Sequence, residues 1–332
     1  MKIFSNLKDL QHKRRPILLA AGFFDGVHRG HRDVIRRALA ASRRGLGQVW
    51  VMTFDPHPRK VLAPESAPAL LTSTCHKLRL LGTLGVSGCV VVPFTPATAR
   101  QEPEAFIAAL KGAVPAMSRL YVGQNWNFGR NCRGNAALLK KLAPHYGFQV
   151  VAIPPVCWRG KPVSSTRIRR AVAAGRLADA ARMLGRPFSV LGTVLHGRKI
   201  GRTMGIPTAN LDFRNEVCPP QGVYAVTALI RRRRRAGVAN LGVRPTFPGQ
   251  GRRAPVLELH LFDTSRDLYG EIVEVFFLKR LRGERKFATP TALRAQIARD
   301  IGRTREIASE KRSKKISIIP LYKSAPNPYN RA

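Results

Sequence analysis

From Ile17 to Ala41 an apolar run, a glycine-punctuated polar string and a helical repeat follow one another, and this succession constrains the fold most. Ile17, Leu18, Leu19, Ala20 and Ala21 end at Gly22 and read as a buried strand. Val34, Ile35, Ala38 and Leu39 recur at helical spacing, so His31 to Ala41 reads as the helix that follows. The string between them, Gly22-Phe23-Phe24-Asp25-Gly26-Val27-His28-Arg29-Gly30-His31, therefore occupies a strand-to-helix turn. Open α/β sheets take their ligands at such turns, where helix N-terminal amides face the crevice. The glycines let backbone approach a phosphate, and the imidazoles of His28 and His31 can donate to a charged oxygen. A His-x-x-His pair can also chelate zinc or lie idle on the surface. No Cys, Asp or Glu stands at ligand spacing, which favours the phosphate reading.

The alternation continues. Gln48–Phe54 reads as a strand closed by Asp55-Pro56-His57-Pro58, since proline lacks the N–H a strand would need. Residues 75–84, 103–110 and 134–146 read as helices; 88–94, 119–123 and 149–153 read as strands. Such alternation predicts a doubly wound parallel sheet covered by helices on both faces. Val163-Ser164-Ser165-Thr166-Arg167-Ile168-Arg169 then leads into a helix near Ile168–Ala174. Three hydroxyls there can simply cap free amides, or, with Arg167 or Arg169, bind a polyphosphate. Joined to the His28/His31 turn on one sheet, they match what nucleotidylyl transferases use.

Three motifs in this order, Gly22–His31, Thr53–Pro58 and Val163–Arg169, resemble the N-terminal domain of the bacterial bifunctional riboflavin kinase/FAD synthetase family. The resemblance implies an ATP site of Gly22, Phe23, Asp25, Gly26, His28, His31, Ser164, Ser165, Thr166 and Arg167. His28 and His31 would face the α- and β-phosphates, and Ser164 to Arg167 the β- and γ-phosphates. It also implies flavin contacts from His57, Asn125, Trp126 and Phe128. The family commonly has Gly-x-Asp-Phe-Arg-Phe-Gly where this chain has Gly123-Gln124-Asn125-Trp126-Asn127-Phe128-Gly129, so an acid and an arginine are replaced by Asn125 and Asn127. Trp126 and Phe128 keep aromatic surface for stacking.

From Phe188 the pattern changes to short strands: 190–195, 209–213, 223–230, 237–242, 256–262 and 272–278, followed by a helix over 291–301. This predicts a small antiparallel barrel with a closing helix. The boundary falls near Gly185-Arg186-Pro187, giving domains over 1–186 and 187–305, with 306–332 a basic, flexible tail. Gly197, Gly201 and Gly205, with Arg198, Lys199 and Arg202, read as a phosphate cradle or as an ordinary turn. Thr208 and Asn210 lie two apart and face one side of a strand, where their oxygens can hold Mg²⁺. With Pro220–Tyr224, Gly237–Phe247 and Leu257–Gly270, this half resembles the riboflavin kinase of the same family.

Alternation places Glu258 on one face with Val256 and His260, opposite Leu257, Leu259 and Leu261. An outward-facing strand Glu is the plain reading. The resemblance implies a catalytic base toward the riboflavin 5′-hydroxyl, ATP contacts from Gly197, Arg198, Gly201, Arg202, Gly205, Thr208 and Asn210, and flavin contacts from Arg282, Glu284 and Phe287. Substrates would be riboflavin, FMN and ATP, with Mg²⁺.

Composition bears on partners and compartment. The 332 residues are enough for two domains, and no apolar run reaches the length of a membrane span. Basic residues before the first apolar segment mimic a signal peptide, but that segment runs into Asp25-Gly26 without a small-residue cleavage site. Five scattered cysteines without a C-x-x-C fit reduced thiols in a cytoplasmic protein. A net charge of +39 raises a rival reading, a basic nucleic-acid-binding protein on the same scaffold. Charge is spread along both halves without interleaved aromatics, so weak, nonspecific polyanion binding is expected and a specific nucleic-acid role is not. A further alternative, resting on Asn125 and Asn127, is a riboflavin kinase with impaired adenylyl transfer.

Overall fold

A computed structural model of the chain describes residues 1–195, 207–213, 217–244, 254–264 and 268–313. Contacts divide it into two units, one of Met1–Leu70 with Thr74–Ser165, the other of Leu71–Ser73 with the chain from Thr166.

In the first unit six strands, β1 (Lys2–Phe4), β2 (Ile17–Ala21), β3 (Gln48–Asp55), β4 (Gly88–Pro93), β5 (Met117–Gly123) and β6 (Gln149–Ile153), form a sheet ordered β1-β4-β3-β2-β5-β6. All its pairings are parallel. Every residue of β2 is buried, as a strand covered on both faces requires. Helix α1 (Arg29–Arg43) packs on β2, β3 and β5, burying Val34, Ile35 and Ala38. On the opposite face Ile17, Leu19 and Ala21 join Ile107, Leu110 and Leu139 in one apolar cluster. The chain winds from β2 outward to β4, then crosses back to β5 on the other side of β2. Strand order thus reverses between β2 and β5, and the crevice at their C-terminal ends is the switch point where such sheets bind ligands.

Helices α2 (Pro58–Leu62), α3 (Thr74–Gly82), α4 (Pro96–Arg100), α5 (Pro103–Ala113) and α6 (Ala136–Leu142) fill the connections. The single helix expected over 134–146 ends at Leu142 and continues as a 3₁₀ turn, Ala143–Tyr146, because Pro144 has no N–H to give. The edge strand β1 was not legible in three residues. A short hairpin, β7 (Cys157–Trp158) with β8 (Lys161–Pro162), leads into α7 (Ser165–Ala173) and α8 (Leu177–Leu184).

In the second unit β9 (Ser189–Leu195), β10 (Ala209–Phe213), β11 (Gly222–Ile230), β12 (Arg233–Arg244), β13 (Ala254–Leu261) and β14 (Ile272–Arg282) close into an antiparallel barrel ordered β10-β13-β12-β11-β14-β9. Leu257, Leu259 and Leu261 point inward, at 0%, 1% and 6% exposure, so Glu258 faces outward as alternation requires. Helix α9 (Pro290–Ser313) packs on β11, β12 and β14, and covers the apolar patch of Val223, Val238 and Phe262 with Ile301. It runs eight residues into the segment read from sequence as a tail. The contact boundary lies at Ser165/Thr166, ahead of Gly185-Arg186-Pro187: α8 packs on β14, a pairing no local pattern announces. The basic run Arg231–Arg235 supplies a hairpin tip, Arg231 and Arg232, and the start of β12.

Candidate active sites

The turn after β2 is tightly wound. Phe24, Gly26 and Val27 all have positive φ (55°, 77° and 39°), and Phe24 is buried as an anchor. A β-branched residue such as Val27 rarely adopts that conformation, and such strain collects at functional sites. His28 caps α1: its Nδ1 accepts from the His31 backbone N–H at 3.3 Å. An accepting Nδ1 carries no proton, so the neutral ring is protonated on Nε2. The His28 and His31 rings stack with centroids 3.5 Å apart, and the edge of Phe24 meets His31 at 5.3 Å. A Cβ on Gly30 would stand 3.2 Å from the His28 ring, so glycine is what gives that imidazole room. Burial first, then His28 and Lys77, hold the His31 imidazole well below its ordinary pKa, so it is neutral at physiological pH.

Ser165 donates from Oγ to the Asp25 carbonyl at 3.0 Å, tying the second hydroxyl string to the first turn across 140 residues of sequence. Thr166 and Arg167 follow it in the first turn of α7. His57 caps α2, and its ring packs edge-on against Phe23 with centroids 4.1 Å apart. Asn125 is exposed and Trp126 partly buried, at the C-terminal end of β5 on the other side of the switch point. Phe128 is 7% exposed, stacked on Trp126 at 4.8 Å and packed against Phe106.

In the barrel, register sets out a second constellation. Asn210 on β10 lies opposite Glu258 on β13, which lies opposite Asn240 on β12; Val223 on β11 and Arg282 on β14 complete the row. Directly opposed residues share a face, with Cβ atoms about 5 Å apart. Thr208 is exposed just before β10, and His260 Nδ1 holds the preceding Pro207 carbonyl at 2.9 Å. Arg282 pairs with Asp300 of α9 at 2.9 Å and sits over the Phe287 ring, and Gln296 donates to the other Asp300 oxygen. Glu284 lies against β12: a Cβ on Gly242 would stand 2.6 Å from Glu284 Oε1. Thr208, Asn210 and the Pro207 carbonyl are hard oxygen donors, the kind Mg²⁺ takes. Gly197, Arg198, Lys199, Gly201, Arg202 and Gly205 lie outside the described residues, as does Phe247.

The FAD synthetase family pattern matches residues 10–167, and the riboflavin kinase pattern residues 184–308. A bifunctional riboflavin kinase/FMN adenylyltransferase of Escherichia coli K12 is 39% identical over 302 residues, covering 90% of this chain and 96% of that protein. The chain belongs to the bifunctional riboflavin kinase/FMN adenylyltransferase family. A Pseudomonas fluorescens member of this family is 35% identical, covering 93% of this chain and 98% of its own. A solved Streptococcus pneumoniae structure, described as a macrolide-efflux protein, superposes with a TM-score of 0.78 at 31% identity, over 91% of this chain and 98% of that one. Among the described residues no helix of the present family member is long and apolar enough to cross a membrane.

Three residues in this bifunctional kinase/adenylyltransferase fold escaped sequence reasoning. Lys77 of α3 is 2% exposed, donates to the Phe23 and Phe54 carbonyls at 3.3 Å each, and sits 4.5 Å from the Phe23 ring. It joins the ends of β2 and β3 beneath the His28 turn. Burial pulls its pKa down, while Cys89, Asp55 and Asp25 pull the other way. Asp300 holds Arg282, and His260 holds the strand start beside Thr208. Nothing local marks these: the partners lie 53 residues apart in one case and 18 in the other.

Proposed function

We propose that the chain makes FMN and FAD from riboflavin, with residues 1–186 carrying adenylyl transfer and 187–305 carrying the kinase. One observation supports this above the rest: a single chain joins a sheet whose switch point holds His28 and His31 to a barrel whose outer row holds Asn210 and Glu258. In the kinase step Glu258 takes the proton of the riboflavin 5′-hydroxyl as that oxygen attacks the γ-phosphorus of ATP, and ADP leaves. Thr208 and Asn210 would hold Mg²⁺, which supplies positive charge at the phosphates. Arg282, Glu284 and Phe287 lie toward the flavin.

In the second step a phosphate oxygen of FMN attacks the α-phosphorus of another ATP, and pyrophosphate leaves. His28, protonated on Nε2, donates to the charge gathering on the phosphate oxygens. His31, kept neutral, donates without repelling its neighbour. Gly22, Phe23, Asp25 and Gly26 shape the ATP turn; Ser164, Ser165, Thr166 and Arg167 receive the departing pyrophosphate; and His57, Asn125 and Trp126 line the flavin side. Neither step needs a covalent enzyme intermediate: alignment and charge stabilisation carry both. Five cysteines without a disulfide support a cytoplasmic setting. No dedicated nucleic-acid site enters this reading.

A second reading, a kinase with impaired adenylyl transfer, is favoured by Asn125 and Asn127 and by the burial of Phe128. Purified protein given riboflavin, ATP and Mg²⁺ distinguishes the two once FMN and FAD are separated by chromatography. FAD supports the first reading, FMN without FAD the second, and neither product refutes both. His28→Ala should lower FAD formation from FMN by about 10²–10³ and leave FMN formation intact. Glu258→Gln should lower FMN formation by about 10² or more and leave FAD formation from supplied FMN intact.

A further inference from the structure

Helix α9 buries a carboxylate on a face where a helix that merely covered the barrel would carry apolar side chains. Gln296, Asp300 and Thr304 recur at intervals of four, so they stand along one side of the helix. Asp300 is 1% exposed and Thr304 0%, which puts that side against the barrel. Thr304 is satisfied within the helix, donating to the Asp300 carbonyl at 2.8 Å. The Asp300 carboxylate reaches out of it. Its Oδ2 accepts from Arg282 Nε at 3.0 Å and pairs with Nη2 at 2.9 Å, while its Oδ1 accepts from Gln296 Nε2 at 2.9 Å. Apolar side chains of similar volume often replace a buried ion pair at no cost in stability, so cohesion alone does not account for this one.

The contacts run on beyond Arg282. Gln296 links Asp300 to a second guanidinium, since its Oε1 accepts from Arg285 Nη2. Arg285 stands 4.6 Å from the centre of the Phe287 ring, and Arg282 stands 5.6 Å from it. Residues 283–289 form neither strand nor helix, so no ladder of backbone hydrogen bonds sets their course. Helix α9 sets it through side chains: Asp300 fixes the residue at which the segment leaves β14, and Gln296 fixes Arg285 within it. Guanidinium planes stack on aromatic rings, so two of them beside one phenyl ring suit a flat heteroaromatic ligand.

We propose that Asp300 and Gln296 are positioning residues of the kinase half, holding Arg282, Arg285 and Phe287 as a platform for the isoalloxazine ring, so that the closing helix sets flavin affinity. This inference rests on the kinase reading of the barrel. Arg285 joins the residues that meet the flavin, whereas Asp300 and Gln296 act through the two arginines and touch no reacting atom.

The test uses the full chain. Quenching of riboflavin fluorescence reads affinity without turnover, and steady-state assays with riboflavin and ATP varied in turn separate KM from kcat. Asp300→Asn should raise the riboflavin Kd and KM about tenfold or more, with kcat and the KM for ATP within about twofold of wild type. Gln296→Leu leaves the Asp300–Arg282 pair in place and should raise the same two riboflavin constants about fivefold, the worth of one hydrogen bond. Because Asp300 acts through Arg282, adding Asp300→Asn to Arg282→Gln should bring no further loss. Unchanged riboflavin affinity in either variant, a loss confined to kcat, or a loss shared equally by riboflavin and ATP overturns the proposal. So does an Asp300→Asn effect that persists in full without Arg282. Thermal melting reports folding, and if Asp300→Asn does not fold, Gln296→Leu decides alone. A wild-type chain that phosphorylates no flavin removes the kinase reading and this inference together, whereas an active wild-type chain with indifferent variants removes this inference alone.

Discussion

Lys77 keeps an ammonium inside the protein, where it bridges carbonyls at the ends of β2 and β3 and faces the Phe23 ring. Lys77→Met keeps the length of the side chain and removes its two hydrogen bonds, leaving the Phe23 carbonyl with the Thr53 hydroxyl at 2.9 Å, at a cost of about 1–3 kcal/mol. The expected outcome is a lower melting temperature and at least a tenfold loss of FAD formation from FMN, with FMN formation from riboflavin retained; a paired assay of the two steps checks it. His31 predicts a pH effect. A histidine whose folded pKa is depressed stabilises the protein fully above the ordinary value of 6.5, and that contribution is lost as pH falls toward the folded value. His31→Asn should therefore gain on the wild-type protein by up to about 1.4 kcal/mol per pH unit below 6.5, read as melting temperatures between pH 7 and pH 5. His28, His31 and Glu258 were legible because each sits in a local pattern that states its face or turn. Lys77 was not, because its meaning lies in groups brought near by the sheet, and neither was the burial of Phe128, since only Phe106 and Gly134 reveal that its ring is enclosed.

At the scale of elements, the β11–β12 hairpin turns on two arginines with φ of 44° and 69°, a conformation that glycine or asparagine adopts at far lower cost. Arg231 has a reason to be there, since its Nε donates to Glu271 at 2.9 Å. Arg232→Gly should raise stability by about 0.5–1 kcal/mol, visible as an upward shift of the thermal midpoint, with both activities unchanged. Most strands and helices could be read from period and punctuation, because buried β2 is uniformly apolar and the barrel strands alternate. The ends were harder. Pro144 cut one helix short, three residues made an edge strand, and the continuation of α9 past 305 looked like a tail because only Ile307 and Ala308 interrupt its polar residues, and Ala308 is the one that is buried.

Across the whole molecule, alternating strands and helices announced the parallel sheet, and short strands with turns announced the barrel. The contact boundary was hidden, because α8 carries an apolar face that does not say which core it joins. The net charge of +39 has its own consequence. Polyanions should bind through released counterions, so RNA retention on a filter should fall by about 10³ or more between 50 and 200 mM salt, without sequence preference. Selective binding that persists at the higher salt would contradict a surface effect of this kind.

The outward row of Asn210, Glu258, Asn240, Val223 and Arg282 and the inward leucines of β13 are two readings of one register. A strand displaced by a single position would exchange its faces, sending Glu258 into the interior and a leucine to the row. Chemistry and core therefore cannot drift apart. Within β12 or β13 insertions and deletions should be excluded from any functional lineage in ones and tolerated, if ever, in twos.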